Sequence, residues 1–243
     1  MKKLYSVLNY DNLKIFQDDS WFCFSLDSII LANLCSVKLS TKKIADFGTG
    51  NGIVPLILAK RTTAHIDGIE IQKDVSQLAF ENVEYNKLNT QISIINSDIK
   101  IFSNNRDNYD KYDLVVCNPP YFKADCLFFN EDLHKTIARH EFKITLSEII
   151  ESAWRVLKEG GIFSMVNRVD RFIEILSLFN KFRFEVKYIR FIYDRIDLSP
   201  CMFFIEVVKL GKPGLKIDKP FILKNIDGSF TEEYERLQNE VKK

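Results

Sequence analysis

The sequence predicts an α/β protein built on an open, mostly parallel, doubly wound sheet of seven strands, with one antiparallel edge strand. Three observations carry that expectation. From Lys43 onward, strand-like and helix-like segments alternate, the order of an open sheet with helices on both faces. A glycine-rich turn, Asp46-Phe-Gly-Thr-Gly-Asn-Gly52, stands between the first of these strands and the helix after it. Leu114-Val-Val-Cys117 is a continuous apolar run, as in a parallel strand covered on both faces, and it halts at Asn118-Pro119-Pro120 because proline donates nothing to a ladder.

The elements follow in order. Leu4 to Gln17 holds two short mixed segments around Asn9-Tyr10-Asp11-Asn12, the residues of a tight turn, so a hairpin is expected. Ser25-Leu-Asp-Ser-Ile-Ile-Leu-Ala-Asn-Leu34 starts with a good N-cap and an acidic first turn, and reads as a short helix. Residues 1–42 thus form a hairpin-plus-helix extension packed on a main domain of residues 43–210. Within that domain Ile44 to Phe47, His65 to Ile71, Ile92 to Ile95 and Asp113 to Cys117 are strands; Ile53 to Lys60 and Val75 to Lys87 are the helices between. Leu146 to Leu157 is a helix with Gly160-Gly161 as its stop, Ile162 to Val166 a strand, and Arg171 to Phe179 a further helix. Phe184 to Tyr193 and Met202 to Val208 have no helix-length segment between them and should pair antiparallel at one edge. The tail, residues 211–243, begins with the turn Gly211-Lys-Pro-Gly214, continues as an extended piece from Pro220 to Lys224, turns at Asp227-Gly228 and ends in a charged helix from Thr231 to Val241.

Composition bounds the partners. Length allows one or two domains, and a net charge of +1 with 28% charged residues means that any nucleic-acid contact must come from a local basic face. Five cysteines without a C-x-x-C pair read as reduced thiols in a cytoplasmic protein. Polar residues interrupt Tyr5 to Asp19, where a signal peptide needs an apolar stretch, and no segment approaches the roughly 20 apolar residues of a membrane helix. His65, His134 and His140 lack metal-ligand spacing, so no metal is expected, and His65 at a strand start is read as structural. A monomer is the default expectation.

The turn after the fourth strand has chemistry of its own. Pro119 and Pro120 fix φ and offer carbonyls without N–H groups, so an acceptor-rich surface forms beside the Asn118 amide, with the Tyr121 ring next to it. A planar substrate bearing an amino group suits that surface; an Asn-Pro turn beside an ordinary buried tyrosine is the alternative. In the first turn, Gly48, Gly50 and Gly52 let backbone approach a ligand, and the helix beyond favours negative charge. A dinucleotide fingerprint needs a third glycine at position 53, where isoleucine stands, and no Gly-Lys-Ser/Thr follows to make a P-loop.

The spacing present, acidic-x-G-x-G-x-G, resembles the first motif of class I S-adenosylmethionine-dependent methyltransferases. That resemblance implies a Rossmann-like sheet and S-adenosyl-L-methionine as cofactor. Asp46 would face the cationic amino acid moiety, with Gly48, Thr49, Gly50, Asn51 and Gly52 around it; Glu70, with Ile71 beside it, would accept from two ribose hydroxyls; Asp98 would accept from the adenine amine with Ile99 against the ring. Helix capping is the competing role for Asp98. For Asp27 the two readings are a cap and a contact with the methionine end of the cofactor.

Asn118-Pro119-Pro120-Tyr121 resembles the catalytic motif of amino-methyltransferases acting on adenine, guanine or protein glutamine. Acceptors at Asn118 and Pro119 would bind the two amine hydrogens and turn the lone pair towards the methyl, while Tyr121 stacks on the base. Across nearly the whole chain the sequence is similar to the tRNA1(Val) adenine-37 N6-methyltransferase family, in Phe24 to Ala32, Asp46 to Gly52, Asn118 to Phe122, Ala138-Arg-His-Glu141 and Gly211-Lys-Pro-Gly-Leu215. The implied partner is tRNA at its anticodon loop, met by Phe122, Lys123, Arg139 and His140. An amino-methyltransferase of another target, and a binding module without catalysis, are the competing readings.

Overall fold

The computed structural model describes residues 2–7, 13–18, 26–119 and 144–239. Strands β1 (Lys2–Ser6) and β2 (Lys14–Asp18) form the N-terminal hairpin, in register from Lys2 opposite Asp18 to Ser6 opposite Lys14. Helix α1 (Leu26–Leu34) leads to the sheet. Then come β3 (Lys43–Phe47), α2 (Ile53–Leu58), β4 (His65–Glu70), α3 (Lys73–Tyr85), β5 (Ile92–Asn96), α4 (Ile99–Asn104) and β6 (Tyr112–Cys117). After the segment that ends before Ile144 follow α5 (Leu146–Val156), β7 (Leu157–Arg168), α6 (Phe172–Lys181), β8 (Phe184–Arg195), β9 (Met202–Lys209), β10 (Lys216–Ile217), β11 (Phe221–Lys224) and α7 (Glu232–Asn239).

The sheet order is β5-β4-β3-β6-β7-β9-β8-β10, with β11 also on β8. Pairs among β3 to β7 are parallel, and β9 runs antiparallel to both β7 and β8. The seven expected strands are present. The antiparallel strand is β9, one place in from β8, because the short β8–β9 connection inserts β9 between β7 and β8. The tail adds two short strands, β10 and β11, parallel to β8, so β8 is covered as well.

Two local readings change. Helix α5 stops at Val156, before the glycines, because Leu157 is already extended and opposite Tyr112; the chain bulges through residues 158–161, where Gly160 has φ 74°, and rejoins the ladder at Ile162 opposite Leu114. Helix α4 has too few residues to show a periodicity in the sequence, and is started by Asp98, whose carboxylate accepts from Lys100 N at 2.6 Å.

Alternation along the strands builds two apolar layers. Leu114 and Val116 of β6 face one with Ile44, while Val115 and Cys117 face the other with Ala45 and Phe47. Helices α1 and α2 close the first layer, joined by Val7, Leu13 and Ile15 of the hairpin and by Phe221 and Tyr234 of the tail; α5 and α6 close the second. Among the described residues no helix is long and apolar enough to cross a membrane.

The hairpin is held to α3 by two asparagines. Asn82 donates to Phe16 O (3.1 Å) and accepts from Phe16 N (2.6 Å), and Asn86 does the same for Lys14 (2.7 and 3.1 Å). Residues i and i+4 of a helix rise by about 6 Å, close to the roughly 6.7 Å between i and i+2 of a strand, so the two amides stand in for a neighbouring strand.

Candidate active site at the carboxyl ends of the parallel strands

Because β3, β4, β5 and β6 are adjacent and parallel, their carboxyl ends bring Asp46, Glu70, Asp98 and Asn118 to one edge of the sheet. Phe47 lies opposite Cys117, so the glycine turn and Asn118 leave the sheet side by side.

The turn is tied from below. Gly48 N and Thr49 N both donate to Ile69 O, at 2.9 and 3.0 Å. Gly48, Gly50 and Gly52 have φ of 74°, 57° and 86°, the left-handed region that glycine enters without strain. A Cβ added at Gly48 or Gly50 would meet nothing within 4 Å, so those two face open space. Gly68 of β4 lies beneath; a Cβ there would come within 2.9 Å of Thr49 Oγ1, which reserves the position for glycine.

Asp46 is 2% exposed, and its Oδ2 has no hydrogen-bond partner. Burial pushes its carboxyl up to about 7; the Thr49 hydroxyl works against the rise without reaching hydrogen-bonding geometry, and the Glu70 charge adds to it. Thr49 Oγ1 and Asn51 Nδ2, also buried, are likewise without partners. An orphaned carboxylate oxygen beside an orphaned hydroxyl and an orphaned amide donor, over a glycine cradle, fits a ligand carrying both an ammonium and a carboxylate. That is the amino acid end of S-adenosylmethionine.

Glu70 is 5% exposed and bridges two backbones: Oε2 accepts from Gly50 N at 3.0 Å and Oε1 from Gln72 N at 2.9 Å. Burial raises its pKa, and these N–H groups oppose the rise. Its shown role is to lock the glycine turn to the start of α3, and each oxygen retains a second lone pair for a sugar hydroxyl. Asn96 Nδ2 donates to the carbonyls of Glu70 (2.8 Å) and Ile71 (3.0 Å) and fixes that turn, leaving the Ile71 side chain 51% exposed. Asp98 caps α4 and Ile99 packs against the second apolar layer.

Asn118 is placed by a residue that the sequence reading passed over. Its Nδ2 donates to Ser28 Oγ in the first turn of α1, at 2.9 Å, which assigns Oδ1 to the opposite side of the amide. The same contact brings the first turn of α1, and Asp27 with it, to this edge. Ser28 lies inside Phe24 to Ala32, so its position was visible, but only the fold shows that this helix meets β6. Pro119 is buried. Pro120, Tyr121, Phe122, Lys123, Arg139 and His140 lie outside the described residues.

Other side chains find structural work. His65 Nε2 lies 3.0 Å from Asp67 Oδ1 and 3.1 Å from Ser93 Oγ. Arg190 of β8 is 5% exposed and donates to Lys219 O and Glu233 Oε1, so it is withdrawn from any surface contact. Among the described residues no group of three His, Cys, Asp or Glu side chains is placed to hold a metal ion.

Comparison with known proteins agrees with this geometry. Residues 24–189 match the family model described as methyltransferase small domain. A tRNA1(Val) (adenine(37)-N6)-methyltransferase from Tolumonas auensis is 32% identical over 171 residues, 70% of this chain and 69% of that protein. The protein of the same name from Cytophaga hutchinsonii is 26% identical over 232 residues, 94% of each chain. Among solved structures, one described as a predicted O-methyltransferase from Agrobacterium tumefaciens superposes with a TM-score of 0.68 at 19% identity, covering 89% of this chain and 96% of that one, which shows the shared fold. The chain belongs to the methyltransferase small-domain family and, within it, to the tRNA1(Val) (adenine(37)-N6)-methyltransferases.

Proposed function

We propose that the protein is a tRNA (adenine-N6)-methyltransferase that methylates the exocyclic N6 amine of adenosine 37 in tRNA1(Val). The observation that carries this reading is the Asn118 amide, fixed on Ser28 beside the glycine turn and followed by the N–H-free Pro119. S-adenosyl-L-methionine supplies an electrophilic methyl group on a sulfonium. Asp46, Thr49 and Asn51 hold its amino acid end, Glu70 its ribose, and Asp98 with Ile99 its adenine.

The chain's task towards the substrate is orientation. An adenine amine is a weak nucleophile because its lone pair is delocalised into the ring. Asn118 Oδ1 and the Pro119 carbonyl would accept hydrogen bonds from the two N–H groups and point the lone pair at the methyl; the amine, made cationic by its new N–C bond, then loses a proton to solvent, so no strong base is needed before transfer. A base stacked in the anticodon loop must turn out to reach this edge, and Tyr121 receives it by stacking. Phe122, Lys123, Arg139 and His140 meet the anticodon loop.

Incubation with labelled S-adenosylmethionine and, separately, total tRNA, ribosomal RNA and release factor tests the target: label in tRNA as N6-methyladenosine is the expected result, and label only in protein would overturn it. Asn118→Ala should lower kcat by about 10²–10³-fold or more with cofactor affinity within about threefold of wild type; near-normal turnover would remove Asn118 from the chemistry. Lys123→Ala with Arg139→Ala should weaken tRNA binding and flatten its salt dependence. If neither changes, those two residues do not meet RNA.

A further inference from the structure

The tRNA substrate is a polyanion, yet the described rim of the active site offers little uncompensated positive charge. Arg168 lies 3.5 Å from Asp170, Arg171 pairs with Glu174 at 2.6 Å, Arg195 with Asp197 at 2.9 Å and Lys224 with Asp194 at 2.9 Å. The positive charge collects at the other end of β8. Residues 181–187 and 210–219 carry six cations, Lys181, Arg183, Lys187, Lys212, Lys216 and Lys219, against two carboxylates, Glu185 and Asp218, in a chain whose whole net charge is +1.

These two stretches form one surface because the fold puts them together. Leu210 N donates to Arg183 O at 3.1 Å, and β10 places Lys216 opposite Tyr188. Lys187 Nζ donates to Lys212 O at 2.8 Å and would lie 3.3 Å from a Cβ at Gly214, so the Gly211–Gly214 turn is wrapped over one lysine and presents another. Gly211 allows that approach: a Cβ there would come within 3.0 Å of both Glu185 and Val208. Lys181, Arg183, Lys212, Lys216 and Lys219 are exposed; of these Lys216 pairs with Asp218 at 3.2 Å, which leaves the patch with more cations than carboxylates. An excess of exposed cations on one face attracts a polyanion, whose phosphates release counterions when they meet it.

Building on the tRNA reading above, we infer that this face is a second docking surface, for the sugar-phosphate backbone of the tRNA body away from the modified base. Arg183 directly precedes β8 and Lys216 lies opposite Tyr188, its fifth residue, so at strand rise the patch lies roughly 20–40 Å from the end of β8 at Arg195, on the side of the sheet away from the edge that holds Asn118. Contacts of this kind set position and affinity without reading sequence.

The test uses the full chain with Lys181, Arg183, Lys212 and Lys216 all changed to glutamine, and a second protein carrying Lys212→Glu alone. Unchanged thermal midpoint and cofactor affinity establish that both are folded. Fluorescence anisotropy with full-length tRNA, read across a KCl series, should show binding weakened at least about tenfold in the quadruple variant, with a log–log salt slope shallower by about 2–3, as expected for the loss of several phosphate contacts. Lys212→Glu should show the same trend at smaller size. Binding to an isolated anticodon stem–loop should be the same for variant and wild type. Equal loss on both RNAs, or loss on neither, overturns the inference; so does charge-dependent binding to anionic phospholipid vesicles with tRNA binding unaltered. Failure of the tRNA reading is seen separately, as wild-type protein that methylates no tRNA.

Discussion

A single buried carboxylate without a partner is an unfavourable thing to carry, and Asp46 illustrates what it is for. Its carboxyl, ordinarily near 3.8, is pushed up to about 7 by burial. A group whose value is higher in the folded state than in the unfolded one takes up a proton on folding between those two values, so the ligand-free protein loses stability as pH rises from about 4 to about 7. A cationic amine beside Oδ2 favours the ionised form and reverses that preference. Cofactor binding near pH 6–7 should therefore release a proton, and affinity should rise with pH through about 7. Calorimetry in buffers of different ionisation enthalpy reads the release directly. Asp46→Asn should abolish it, weaken binding by about tenfold or more, and stabilise the ligand-free protein at pH 8 by about 1–3 kcal/mol, since a neutral amide replaces a buried charge. A proton count equal to wild type in Asp46→Asn would sink the assignment. At this scale the sequence was informative where chemistry is local: Asp46 stands with its glycines in one short stretch, and Asn118 stands directly before Pro119 and Pro120. Ser28, 90 residues away from Asn118, was not legible, because nothing in its own neighbourhood says which strand α1 will meet.

Among the elements, helix α3 does more than cover the sheet. Asn82 Nδ2 donates to Phe16 O and also to Asn51 O at 2.9 Å, so one fully buried amide joins the N-terminal hairpin to the cofactor turn. Asn86 holds Lys14 in the same way but does not touch the turn. The pair separates two effects that are usually confounded. Asn82→Ala leaves Phe16 N, Phe16 O and Asn51 O without their partner; it should cost about 2–4 kcal/mol and raise KM for the cofactor about tenfold, with kcat at saturation within about threefold. Asn86→Ala should lower the thermal midpoint and leave that KM alone. If both variants show the same KM, the link from hairpin to turn has no bearing on cofactor binding. The hairpin and α3 were each visible as elements from turn residues and periodicity. Their contact was not, since two polar asparagines on a helix read as solvent-facing, and the amide-to-strand match appears only when helix and strand lie side by side.

On the scale of the whole molecule, the regular alternation from Lys43 to Val166 made the parallel half of the sheet legible, because each strand and helix advertises its own period. The tail did not advertise its place: β10 has two residues and β11 four, too short for a pattern, and a charged terminal helix reads as peripheral. The structure makes part of it core. Phe221 is 0% exposed opposite Ile192, with the Arg190 guanidinium 5.0 Å from its ring centroid, and Arg190 is in turn held by Lys219 O and Glu233. A buried arginine is stable only while those partners stay, so loss of the tail leaves a charge as well as an apolar strand uncovered. Phe221→Ala should cost about 3–5 kcal/mol and lower the thermal midpoint by roughly 10 °C, at about 2–4 °C per kcal/mol for a chain of this size. Ile217→Ala, on the neighbouring β10 but 61% exposed, should shift it by only a degree or two. Similar small shifts in both would mean that the tail merely lies on the sheet, whereas a large one confined to Phe221 makes it part of the cooperative unit that carries the site.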